Sequence, residues 1–156
     1  MKASRKKQKI FSENLGVNLK SGKEEELFKW FLACLLFGKP IQQEVAKRTY
    51  FEFEKEKILS LDMILKTGWD KLVEILDRGH YVRYDFSTAT KLLEISKELK
   101  QRYGSLENLL RQSNNQRDLE IRLQEFKGIG PVTTRIFLGE FKDGIKFRDR
   151  LPRFSG

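Results

Sequence analysis

Gly128, Ile129, Gly130 and Pro131 follow one another in the sequence, with Lys127 just before them and Arg135 just after. Glycine supplies backbone conformations that side chains forbid, so this spacing predicts a tight turn. Proline suits the first turn of a helix, where its missing N–H does no harm. A turn of this kind aims free N–H groups outward from a helix N-terminus, where the macrodipole favours an anion. The small glycine surface lets a phosphate come close to the main chain, and Lys127 and Arg135 add positive charge. The competing reading is an ordinary corner between two helices, with no ligand at all.

Other reactive residue types are scarce. Cys34 is the single cysteine and His80 the single histidine. One thiol excludes an internal disulfide, a four-thiolate iron–sulfur cluster and a structural zinc site, so no metal held by side chains is expected. Cys34 lies in an apolar run and reads as a small buried hydrophobe. The 156 residues include 31 Lys and Arg against 22 Asp and Glu, a formal charge of +9. An excess of this size favours polyanionic partners, nucleic acid first and anionic membrane second, although a protein can be basic without either. The longest apolar stretch, residues 31–37, is too short to span a bilayer, and no apolar signal core follows the charged N-terminus. An intracellular protein is expected.

The elements that must position the turn read as short helices. At 39% apolar and 34% charged, the chain suits one folded domain with a real core. Residues 1–22 are expected to be a flexible basic tail, since Lys2, Arg5, Lys6, Lys7 and Lys9 crowd its start. Residues 23–156 are expected to form the helical domain. Three glutamates open a helix over 23–37 that becomes apolar nearly all round, as a central core helix would. Gly38 can end it, and Pro40 can start the next, over 41–53. Ser60 caps a brief helix over 61–65, and another runs over 69–77 with Gly79 as its stop. Ser87 is read as the cap of a helix over 88–103, where Leu92, Ser96, Leu99 and Tyr103 mark the buried face. Ser105 starts 106–112, Asp118 or a neighbour starts the helix into Phe126, and 131–141 follows the glycines. Only residues 145–148 hint at alternation. The fold class is all-α, a compact multi-helix domain.

The stretch FKGIGPVTTRIFL, residues 126–138, resembles the helix-hairpin-helix motif of the endonuclease III-like DNA glycosylase superfamily. LFKWFLACLLFGKPIQQEVAKRTY, residues 27–50, resembles that family's first core helix, short loop and following helix. LVEILDRGHYVRYDFSTATKLLEISKEL, residues 72–99, resembles its segment with a second loop and a long helix. The hairpin is the specific part; the upstream segments gain weight only from their matched order. The resemblance implies a base-excision-repair function on double-stranded DNA carrying a damaged or mismatched base. It also implies a hairpin that holds duplex phosphates, with a monovalent cation on the carbonyls of residues 128–130, and no iron–sulfur cluster in this chain.

The implied mechanism extrudes a nucleotide and breaks its sugar–base bond through an oxocarbenium-like transition state that a carboxylate stabilises. The clamp falls on Lys127, Gly128, Ile129, Gly130, Thr133 and Arg135. The duplex wedge falls on Lys39, Pro40, Ile41 and Gln42 and on His80 and Tyr81, unless Pro40 and Ile41 merely start a helix and His80 is a solvated loop residue. Trp30, Trp69 and Tyr84 are the base-pocket candidates, with Trp30 and Trp69 open to a core role instead.

Family members that also cut the strand place a lysine two residues after the second glycine, where this chain has Val132. A monofunctional DNA N-glycosylase using water is therefore implied. The family acid follows the lysine position by roughly eighteen residues, and Asp149 stands 149 − 132 = 17 residues beyond Val132. Asp143 and Glu140 are the alternatives. Arg148 and Arg150 flank Asp149, which would keep it ionised or hold it in exposed ion pairs. The family continues well past its acid, whereas seven residues follow Asp149, so either the N-terminal region closes the globule or this is a minimal or truncated member. A non-catalytic helix-hairpin-helix DNA-binding module is the second reading, and a helical interaction domain with a purely structural turn the third.

Overall fold

Glu24, Glu25 and Glu26 occupy the first turn of the helix α1, Glu24–Phe37, and complement its dipole. The computed structural model of the chain describes residues 11–141. Within α1, Leu27, Phe28, Trp30, Phe31, Leu32, Ala33, Cys34 and Leu36 are all buried, so the helix is surrounded rather than half-covered. Seven more follow: α2 Gln43–Lys55, α3 Leu61–Thr67, α4 Trp69–Arg78, α5 Asp85–Arg102, α6 Leu106–Gln112, α7 Gln116–Gln124 and α8 Pro131–Leu138. No strand occurs among the described residues, and the chain is all-α there. No helix among them is long and apolar enough to cross a membrane.

Packing follows from α1. It lies against α2, α6 and α8, while α3, α4 and α5 pack on one another and α2 bridges to α4. Glu24 ties two of these together, because its carboxylate accepts from the amides of Leu106 (3.1 Å) and Glu107 (2.8 Å) at the start of α6. Trp30 Nε1 donates to the Phe137 carbonyl at 3.2 Å and ties α1 to α8. Two glycines permit close crossings. A Cβ on Gly79 would stand 2.6 Å from Thr49 Cα, and one on Gly38 would stand 2.1 Å from Thr133 Oγ1.

Several sequence expectations are corrected here. Residues 11–22 do not form part of a tail: they make two 3₁₀ turns, Ser12–Leu15 and Leu19–Ser21, and bury Leu15, Val17 and Leu19 in the core. Residues 1–10 lie outside the described residues, as does the alternation suggested at 145–148. Helix α2 starts at Gln43, with Gln42 rather than Pro40 at its entry. Helix α5 starts at Asp85, so Ser87 sits inside its first turn and its hydroxyl donates to the Tyr84 carbonyl. Asn115, not Asp118, caps α7, with Oδ1 accepting from the Asp118 amide at 2.8 Å. Ser60 and Ser105 cap α3 and α6 as their sequence positions suggest.

Candidate anion-binding cleft

The turn between α7 and α8 lies on the surface. Gly128 takes φ of +100°, a backbone region that L side chains rarely adopt. Gly130 is extended, and a Cβ added there would meet nothing within 4 Å. Ile129 turns its side chain inward, 4% exposed, and its amide donates to the Phe126 carbonyl at 3.1 Å. Ile129 is thus the anchor of the turn rather than part of a clamp. Pro131 takes the first helical position, and the Thr134 amide donates back to the Gly130 carbonyl at 3.1 Å. The amides of Gly130, Val132 and Thr133 find no acceptor among the described residues. They are the unpaired first-turn donors of α8.

These amides border a cavity of about 420 Å³. Its walls come from three distant stretches: Leu35, Gly38, Lys39 and Pro40 at and just past the end of α1, Thr88, Lys91 and Leu92 on α5, and the turn from Gly128 to Thr133. Among the described residues, Lys39 and Lys91 are its charged side chains, and no carboxylate lines it. The methylenes of Lys91 lie along Gly128, where an added Cβ would stand 3.0 Å from Cδ. Burial, and then the neighbouring Lys39, push the Lys91 ammonium down to about 8. Lys39 also lies 5.0 Å from the centre of the Tyr84 ring, in cation–π contact. Thr88, one turn before Lys91, is 3% exposed, and its hydroxyl has no hydrogen-bond partner among the described residues.

The remaining site candidates divide sharply. Lys127 and Arg135 are exposed beside the turn. Thr133 is buried with its side chain against Gly38, which leaves its amide as the group an anion can reach. Lys39 and Pro40 border the cavity, Gln42 is exposed, and Ile41 packs partly buried against the core. Tyr81 cannot act as a wedge: it is fully buried, and its hydroxyl donates to the Leu36 carbonyl. Its neighbours Val82 and Phe86, 60% and 61% exposed, are the outward apolar groups of that segment. His80 is exposed at φ +69°, with Nδ1 3.1 Å from Arg48 Nη1. Trp30 is core and leaves the base-pocket set, being 1% exposed and bonded to Phe137. Trp69 is partly exposed, meets the Phe86 ring at a tilt with centroids 5.1 Å apart, donates to Thr90 Oγ1, and does not line the cavity.

Of the acids, Glu140 points elsewhere: its carboxylate accepts from the Ser12 amide at 2.8 Å and does not line the cavity. Asp143 and Asp149 lie outside the described residues. Lys91 and Thr88 were the residues missed from sequence. Thr88 precedes Leu92 by four positions, which continues the buried stripe of α5 and was the available signal. Comparison of the chain with family models, with curated proteins and with solved structures found no match.

Proposed function

We propose that the protein binds duplex DNA through a helix-hairpin-helix formed by α7, the glycine turn and α8, in a role of base-excision-repair type. The observation that carries this reading is the exposed turn itself. The amides of Gly130, Val132 and Thr133 lack acceptors among the described residues, and Gly130 leaves the approach open there. Lys39, Lys91, Lys127 and Arg135 surround it with positive charge, and the whole chain carries +9. Backbone amides at a helix start bind phosphate without reading sequence. Affinity for duplex should therefore fall steeply with salt and vary little with base sequence. Fluorescence anisotropy with two unrelated duplexes across a salt series measures both; an affinity indifferent to salt rules out the clamp.

The finer proposal is a monofunctional DNA glycosylase in which water attacks the sugar and Asp149 stabilises the developing charge. Val132, 46% exposed at the hairpin, has no nucleophilic atom, which supports water rather than a protein amine from that position. Asp149→Asn should then abolish base release while leaving duplex affinity in place. The assay is base release from alkylated, oxidised, deaminated and mismatched duplexes, each treated with alkali to reveal abasic sites. Full activity in the variant moves the acid elsewhere. A non-catalytic binding module is favoured by one observation: the cavity beside the turn has no carboxylate among the described residues. Absence of base release across the panel, with salt-sensitive binding intact, selects that second reading.

A further inference from the structure

The cleft holds more positive potential than a single phosphodiester requires. Lys39 and Lys91 face each other on adjoining walls, close enough for Lys39 to disfavour the Lys91 ammonium. Neither forms an ion pair within 4.0 Å among the described residues, in a protein where many of its other lysines and arginines do. The third wall supplies the amides of Gly130, Val132 and Thr133, unpaired among the described residues. Thr88 adds a second, independent sign of a ligand. It lines the same cavity, is 97% buried, and carries a hydroxyl without a partner among the described residues, which a protein interior seldom tolerates without compensation. Two ammoniums, a set of amide donors and a hydroxyl, with no carboxylate among the described residues that line it, form a cavity dominated by donors. Its chemical complement is a compact dianion.

A phosphodiester inside a strand carries one charge and is tethered on both sides. A phosphomonoester at physiological pH carries close to two, offers three terminal oxygens, and projects on a single bond. A cavity of about 420 Å³ also has room for the sugar attached to such a group.

We propose that the Lys39–Lys91–Thr88 cleft is a phosphomonoester site that accepts a terminal phosphate dianion against the first turn of α8. With the duplex-binding reading, on which this source of the phosphate rests, the ligand is the phosphorylated end of a strand at a gap. A small phosphorylated molecule shares the same chemistry. Lys91 closes on the anion with its stem held along Gly128, Lys39 meets it from the end of α1, and the α8 amides take the remaining oxygens. Charge-assisted hydrogen bonds to a dianion are stronger than those to a neutral group or a screened diester.

The test uses the full chain and three probes. These are a gapped duplex with a 5′-phosphate at the gap, the same duplex with a 5′-hydroxyl, and inorganic phosphate. The phosphorylated gap should bind at least about tenfold more tightly than the hydroxylated one. Inorganic phosphate should raise Tm and compete selectively against the phosphorylated probe. Lys91→Met keeps the stem that packs on Gly128 and removes the charge; it should erase the preference between the two ends. Thr88→Val keeps the buried shape and should reduce the preference in a chain that folds normally, so a folding defect in one variant leaves the other decisive. Equal affinity for the two ends, with no effect of inorganic phosphate, overturns the phosphomonoester site and leaves the duplex reading standing. A Lys91-dependent response to inorganic phosphate without duplex binding overturns the duplex reading and assigns the cleft to a small phosphorylated molecule. An unchanged preference in both folded variants overturns the assignment of these residues.

Discussion

Lys91 is the side chain through which pH acts on the cleft. Burial, and then Lys39, lower its ammonium from the ordinary 10.5 to about 8. Between those values the unfolded chain binds the proton and the folded chain does not, so this group makes stability rise with pH across that window. Anion binding runs the other way. It needs the ammonium, so phosphate-dependent affinity should weaken as pH climbs through about 8. The charged group set against Lys91 on the cavity wall is Lys39, from the end of α1; α8 contributes amides and α5 the Thr88 hydroxyl. Denaturant titrations and anisotropy from pH 7 to 10 should give trends of opposite sign. Parallel trends would contradict the placement of Lys91. Residue type alone did not reveal this role. Lys91 reads as a surface lysine until folding brings residues near 38, 90 and 130 together. Trp30 and Tyr81 misled in the opposite sense, since an aromatic ring suits a base or a core equally well and only the fold selects the face.

Helix stops and starts were legible where one local signal decides them and less so where packing does. Ser60 and Ser105 cap their helices through their own hydroxyls. Asn115 does the same for α7, and Asn115→Ala should cost about 1 kcal/mol in a urea titration by freeing the Asp118 amide. Gly79 was readable as a stop, but its deeper reason is a crossing with α2, invisible from sequence. A Cβ there would stand 2.0 Å from Thr49 Oγ1. Gly79→Ala should therefore destabilise by about 1–3 kcal/mol, whereas a mere helix stop at its observed negative φ would accept alanine at little cost. The segment from Phe11 to Gly22 shows the limit of composition. Its basic neighbours suggested a tail, yet Leu15, Val17 and Leu19 alternate into the core across two turns. Leu15→Ala should cost about 2–5 kcal/mol by calorimetry or denaturant, and a negligible loss would restore the tail.

For the whole molecule, the all-α class followed from composition and periodicity, because a central helix apolar on nearly every side must be enclosed by others. The cleft did not follow, since it exists only where the end of α1, the start of α5 and the glycine turn converge. A net charge of +9 favours long-range attraction to polyanions that salt screens; in the proposed reading the turn is where that attraction ends. The sharpest measurement is duplex affinity of Gly130→Val beside the unaltered chain, with Tm recorded for both. The extended backbone at Gly130 accepts valine, and no atom of the described residues lies within 4 Å of the new Cβ, so Tm should hold. Affinity should drop about 10- to 100-fold, as expected for charge-assisted bonds lost when a side chain keeps phosphate from the amides. A folded Gly130→Val protein that binds duplex as tightly as its parent would show that the turn is not the clamp.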